Sequence, residues 1–295
     1  LYSADSAKDQ KYLMTDFNLT QLFKHPHYGL LGLLTCLFGG YLVIVWRTED
    51  IAYFGMSVLF LLAAITLLWE NHASFIYRFE PIAALIGIGL ILWVVWHGAS
   101  IAHSQQPELR LIPFVAAVAV ALLASGLQGL VQYRRELAIM FFLGIPGLLL
   151  SLIDIAPITA TTAAKLLIYT GHPVMQRGVL LASSGGTVEV TNGYSGIQSI
   201  TYLLGIAVLC LTLYPVHRLK QILALLAAAG ISFGFNTARI AMMATLVAPQ
   251  NQKAFLYWSE GDGSLILGVL ALVSFTSFYL VLYQLEMWQK QHLQN

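Results

Sequence analysis

Eight runs of mostly apolar residues, near 28–46, 51–69, 81–97, 111–131, 137–153, 196–213, 219–247 and 264–283, fill most of this chain. Each is long enough for a helix rising ~1.5 Å per residue to cross the ~30 Å of a bilayer's hydrocarbon. Only helices and closed barrels satisfy their own backbone hydrogen bonds in lipid. The runs therefore dictate an all-α integral membrane protein with about eight transmembrane helices. Their connections, such as Arg47-Thr48-Glu49-Asp50 and Tyr133-Arg134-Arg135-Glu136, are short and polar, so sequential helices pack antiparallel in one bundle. The chain reads as a polar segment, 1–27, followed by one membrane domain, 28–295, without an internal repeat.

Composition removes other classes. Hydrophobic residues make up 58% and charged residues 10%, against about a quarter charged in soluble domains. The formal charge is +1 and the basic residues are scattered, so no footprint for nucleic acid exists. Cys36 and Cys210 lie inside apolar runs, where a thiol is a small buried hydrophobe rather than part of a disulfide framework. Orientation follows from Lys and Arg. With both termini cytoplasmic, the inner side collects Lys8, Lys11, Lys24, Arg78, Arg134, Arg135, Arg218, Lys220 and Lys290, against Arg47, Arg110, Lys165, Arg177 and Lys253 outside, as the positive-inside rule requires. Asp154 and Glu136 sit at the ends of runs, where acids need no function.

The longest stretch between runs, 154–195, then forms an outer cap. Residues 157–170 are Ala- and Leu-rich, suited to a helix lying in the interface. Val179-Leu180-Leu181, a Ser183-Ser184-Gly185-Gly186 turn and Thr187-Val188-Glu189-Val190 read as a small β-hairpin.

Three segments gather at that edge. They are the start of the sixth run (Asn192-Gly193-Tyr194-Ser195-Gly196-Ile197-Gln198-Ser199), the outer half of the seventh (Asn236-Thr237-Ala238-Arg239-Ile240) and the loop before the eighth (Tyr257-Trp258-Ser259-Glu260-Gly261-Asp262-Gly263-Ser264). Arg239 stands 19 residues beyond Lys220, about 29 Å along a helix, which brings it level with the outer interface. It is the only Lys or Arg well inside a run. A cation costs about 2.5–3.5 kcal/mol at mid-membrane, which a partner or a polar cavity offsets. The bland alternative is a side chain stretched out to the headgroups.

In this order and spacing the three segments resemble the exosortase/archaeosortase family, particularly its cyanobacterial branch, over roughly the C-terminal half of the chain. The resemblance implies an eight-span membrane protein that cleaves proteins bearing a C-terminal sorting signal near their membrane anchor and transfers the product. The family pattern is Cys-Ser-Gly-(Ile/Leu)-x-Ser, then Asn-x-x-Arg, then Trp-His-x-Gly-x-Gly-Ser. It implies a thiolate nucleophile, a supporting cation and an imidazole that moves the proton. This chain departs from it twice. Tyr194 stands at the Cys position and Ser259 at the His position, while Arg239 matches. A phenol titrating near ~10 is a poor replacement for a thiol near ~8.5, and a serine hydroxyl is no base near neutrality.

The resulting reading is a catalytically inactive exosortase-like protein, a structural or binding subunit of a larger complex in a cyanobacterial plasma or thylakoid membrane. Its partners are the lipid bilayer and other membrane subunits. The alternative is an active membrane-embedded peptidase or transpeptidase with an altered mechanism, drawing on Ser195 or Cys210 with His172 or His103. A third reading, a transporter, lacks the intramembrane acids and inverted repeats such proteins show. No cofactor is required by the sequence. A bound lipid or pigment fits a subunit role, and His97, after Trp96 near the end of the third run, is the candidate ligand for a metal or chlorophyll. His25 and His27, two residues apart, do not share a helix face, so no metal site is read there.

Overall fold

The computed structural model describes residues 26–48, 50–71, 74–100, 107–150, 152–259 and 261–293. The N-terminal segment is outside that set up to residue 25, as are His25, His103 and Glu260. The helices are α1 (Pro26–Arg47), α2 (Ile51–Asn71), α3 (Pro81–Ser100), α4 (Pro107–Gly129), α5 (Arg134–Leu150), α6 (Ala156–Tyr169), α7 (Ile197–Leu213), α8 (Arg218–Leu246), α9 (Gln252–Ser259) and α10 (Asp262–Leu293). Proline opens α1, α3 and α4, where its fixed φ suits a helix start and its missing N–H costs nothing.

Seven stretches of the described residues are long and apolar enough to cross a membrane, and one of them, Glu108–Leu149, has 42 residues. That stretch is two crossings. Gly126 takes a φ of +70°, a left-handed conformation open mainly to glycine, and a 3-10 turn over Leu130–Tyr133 follows. The N–H of Leu127, freed by the break, donates to Glu80 Oε2 at 3.0 Å. The chain then returns on itself: a Cβ at Gly144 would strike the Arg110 carbonyl, which places the end of α5 against the start of α4. Eight crossings result among the described residues, as the apolar runs predict.

Two packed groups divide the bundle. Tyr41 and Val45 of α1, Phe60 of α2, Ile112 of α4 and Leu143 of α5 form the first. Ala207 of α7, Ala224 and Ala228 of α8, and Phe275 and Tyr279 of α10 form the second. Alanine allows α8 to approach its neighbours closely, which gives the contact its dispersion energy in lipid. At one end of the second group, Glu286 is held by Lys220 at 2.9 Å and Lys290 at 3.5 Å, tying α10 to α8. The outward surface is apolar, with Trp46, Leu62, Trp69, Leu85 and Trp96 exposed. This is an integral membrane protein in contact with bilayer lipid.

The cap is richer than a hairpin. Strands β1 (Met175–Arg177), β2 (Leu180–Ser183) and β3 (Gly186–Glu189) form an antiparallel sheet in the order β1-β2-β3. The expected hairpin is β2–β3, with Leu181 opposite Val188. The sequence reading missed β1, whose three residues are too few to show an alternation. The cap buries Leu181 of β2 and Val190, just past β3, against Ala156, Ala160, Ala163 and Ala164 of α6 and Ile240 and Met243 of α8. Ser183 Oγ donates to the Ala244 carbonyl at 3.0 Å. The alanine face of α6 is therefore buried on α8, while Ile158, Ile168 and Tyr169 remain exposed.

Candidate functional site

Beneath the cap, the segment joining β3 to α7 is locked to α8 through one asparagine. Asn192–Tyr194 forms a 3-10 turn, and Gly196 caps α7 with a φ of +92°. A Cβ at Gly196 would lie 2.7 Å from Asn236 Cγ and 3.0 Å from Asn236 Cβ. Glycine is needed there twice over, for the backbone angle and for the close approach. Through that gap Asn236 Nδ2 donates to the Tyr194 carbonyl at 3.1 Å. Its Oδ1 accepts from Arg239 Nη2 at 2.9 Å, so Asn236 fixes the turn and the arginine together.

Ser195 is fully buried. Its Oγ donates to the Asn192 carbonyl at 2.7 Å, and its own carbonyl accepts from Thr159 Oγ1 of α6 at 2.7 Å. Tyr194 and Trp258 both pack on the apolar cluster of Ile240, Met243 and the cap. Ser259 is buried and its Oγ donates to the Leu256 carbonyl at 3.3 Å. The third segment is folded tightly on itself: a Cβ at Gly263 would lie 2.7 Å from Trp258 Cε3. Tyr194 and Trp258 thus share one cluster with Ile240, the neighbour of Arg239 on α8. Glu260 of that loop lies outside the described residues.

Arg239 reaches back along its own helix. It is partly buried, bonded to Asn236 and within electrostatic reach of the Tyr194 phenol. Its Nε–H is buried and, among the described residues, has no acceptor; the Thr237 hydroxyl is in the same position. A buried donor left unmet costs about 1–3 kcal/mol. The site therefore holds a buried donor without an acceptor among the described residues.

The other candidates fall elsewhere. His172 follows the far end of α6, about 15 Å of helix from Thr159 and so from Ser195, and its Nδ1 is 3.3 Å from Thr170 Oγ1. Cys210, on α7, packs on the second group of buried residues. His97 stacks on Trp93 at 4.3 Å, with its Nδ1 3.0 Å from the Trp93 carbonyl. Among the described residues, no group of three or more His, Cys, Asp or Glu is placed to hold a metal ion.

A second polar cluster, invisible in the sequence, joins the site at Gln198. Asp50 caps α2, accepting from the Tyr53 N–H at 2.9 Å through Oδ1. Its Oδ2 accepts from the Tyr202 hydroxyl at 3.3 Å and from Gln198 Nε2 at 3.4 Å. Tyr41 bonds Tyr53 and Ser57 at 3.0 Å each, and the Arg110 guanidinium lies over the Tyr53 ring at 5.5 Å. Asp50 and Arg110 read as ordinary ends of runs. Their convergence depends on residues some 60 to 150 positions apart, which no local pattern displays.

The family model for transmembrane exosortases matches residues 45–276, which includes all three segments and most of the bundle. Neither the curated proteins nor the solved structures give a match.

Proposed function

The chain belongs to the transmembrane exosortase family, and from that premise we propose that it is a catalytically inactive member serving as a binding or structural subunit of a larger membrane assembly. One observation carries this reading: Gly196, Asn236 and Arg239 form one bonded frame, beside which, on the motif resemblance, Tyr194 and Ser259 stand at the places of the family's nucleophile and base. No nucleophile replaces them in this reading. Ser195 spends its proton on the Asn192 carbonyl, and a serine without a base in hydrogen-bond reach is inert. The unmatched Arg239 Nε–H supports a retained capacity to bind, with a backbone carbonyl or terminal carboxylate of a partner segment as the complementary group.

The same reading places both termini in the cytoplasm and the cap outside, in a cyanobacterial plasma or thylakoid membrane, on the balance of Lys and Arg and the motif resemblance. Gentle purification from the native membrane, with mass spectrometry of what co-purifies, tests it. A stoichiometric set of other membrane subunits is expected. Recovery alone, or with cleaved proteins bearing C-terminal sorting signals, would overturn it in favour of a peptidase with an altered mechanism.

A further inference from the structure

At the membrane face opposite the Arg239 site, α1, α2, α4 and α5 leave a cleft of about 200 Å³. Leu34, Phe38, Ala64, Val120 and Met140 are among its walls. Its rim residues Leu31, Ile65, Trp69 and Tyr77 are exposed, so it opens sideways onto the bilayer rather than toward water. One acid enters this apolar space. Glu136, in the first turn of α5, is only 6% exposed, and its Oε2 has no hydrogen-bond partner among the described residues.

A buried carboxylate oxygen is costly unless something meets it. Burial disfavours the charged form of such a group, and a cation reaching Oε2 is what would offset that cost. The missing partner is therefore a hydrogen-bond donor, and a cation for preference. It arrives through lipid, since the rim faces lipid. The apolar walls exclude a free hydrophilic amine and suit a hydrocarbon chain. At the same edge, Arg134 and Arg135 are exposed and, among the described residues, make no ion pair. Carboxylate within and guanidinium groups outside match a headgroup that carries an ammonium and a phosphate. Trp69 and Tyr77 at the rim are the amphipathic rings expected at headgroup depth.

We propose that this cleft is a specific site for a phospholipid with a primary ammonium headgroup, its ammonium on Glu136 and its acyl chain along Phe38, Ala64 and Val120. The primary ammonium donates hydrogen bonds that a quaternary one cannot, so the site distinguishes phosphatidylethanolamine from phosphatidylcholine of identical chains.

The test is native mass spectrometry of the full chain in detergent, titrated with each of those two lipids. Wild type retains the ethanolamine lipid roughly tenfold better, the scale of one charge-assisted hydrogen bond. Glu136→Gln brings the ratio near one while leaving some binding of both. Ala121→Phe, which fills the cleft, loses both, with size-exclusion profile and helical content reporting whether that variant folds. Should Ala121→Phe fail to fold, the wild-type ratio still decides. Equal retention of the two lipids by wild type, an unchanged preference in Glu136→Gln, or no retained lipid at all would overturn the proposal.

Discussion

Two arginines stand at one face of this bundle, and their surroundings differ in kind. Arg110 lies over Tyr53, beside a chain of hydroxyls and the Asp50 carboxylate that are bonded to one another. Arg239 has a single amide to orient it and an Nε–H without an acceptor among the described residues. The first arrangement links α2, α4 and α7. The second is incomplete by one group. In lipid, where an unmet donor cannot turn to water, such incompleteness is what the proposed partner segment would relieve.

The glycines beside each arginine give the largest predicted contrast. Gly196→Ala must abandon a φ of +92° and displace Asn236, so it is expected to destabilise the protein by about 3 kcal/mol. Gly147→Ala meets Arg110 Nη1, the end of a flexible side chain, and is expected to cost about 1 kcal/mol. Thermal unfolding of both variants in detergent reads the difference. Equal losses would show that the cap junction is no more constrained than the Arg110 cluster.

Removing each cation sharpens the comparison at a smaller scale. Arg110→Met gives up the cation–π contact and is expected to cost about 1–2 kcal/mol. Arg239→Met removes an Nε–H that the fold leaves unmet but also the Nη2 bond that Asn236 Oδ1 accepts, so the two partly offset and the cost is expected below that of Arg110→Met, at about 0–1 kcal/mol, while co-purifying partners are lost. If Arg239→Met were instead the more destabilising of the two, Arg239 would be structural and the binding reading would lose its support.

How far the sequence anticipates these two regions follows from distance along the chain. The crossings are legible because each is a contiguous run. The residues of the Arg239 site stand in three short motifs around 194, 239 and 259, which the sequence displays, whereas the close approach of Gly196 to Asn236 is set by packing and is not displayed. Nor is the Arg110 cluster, since Asp50, Arg110 and Gln198 are isolated polar residues whose meeting is decided by helix packing. Glu136 illustrates the same limit. At the end of a run it needs no function on sequence grounds, yet the turn at Gly126 folds α5 back against α4 and buries it. Asp154 does conform to the simple reading, accepting from the Ala156 N–H at 2.9 Å to start α6.

The subtlest expected effect concerns what the site would do to a thiol. In Tyr194→Cys the new side chain stands where the Tyr194 phenol interacts electrostatically with Arg239. A nearby cation favours the thiolate, so the thiol is expected to titrate about one unit below the ordinary ~8.5. The rate of alkylation against pH, corrected for Cys36 and Cys210 in the parent chain, measures it. Adding Arg239→Met removes the cation and moves the midpoint back up, whereas adding Arg110→Met leaves it in place. A midpoint insensitive to Arg239 would mean that the two side chains share a neighbourhood without sharing a site, and that Tyr194 fills space rather than replacing a nucleophile.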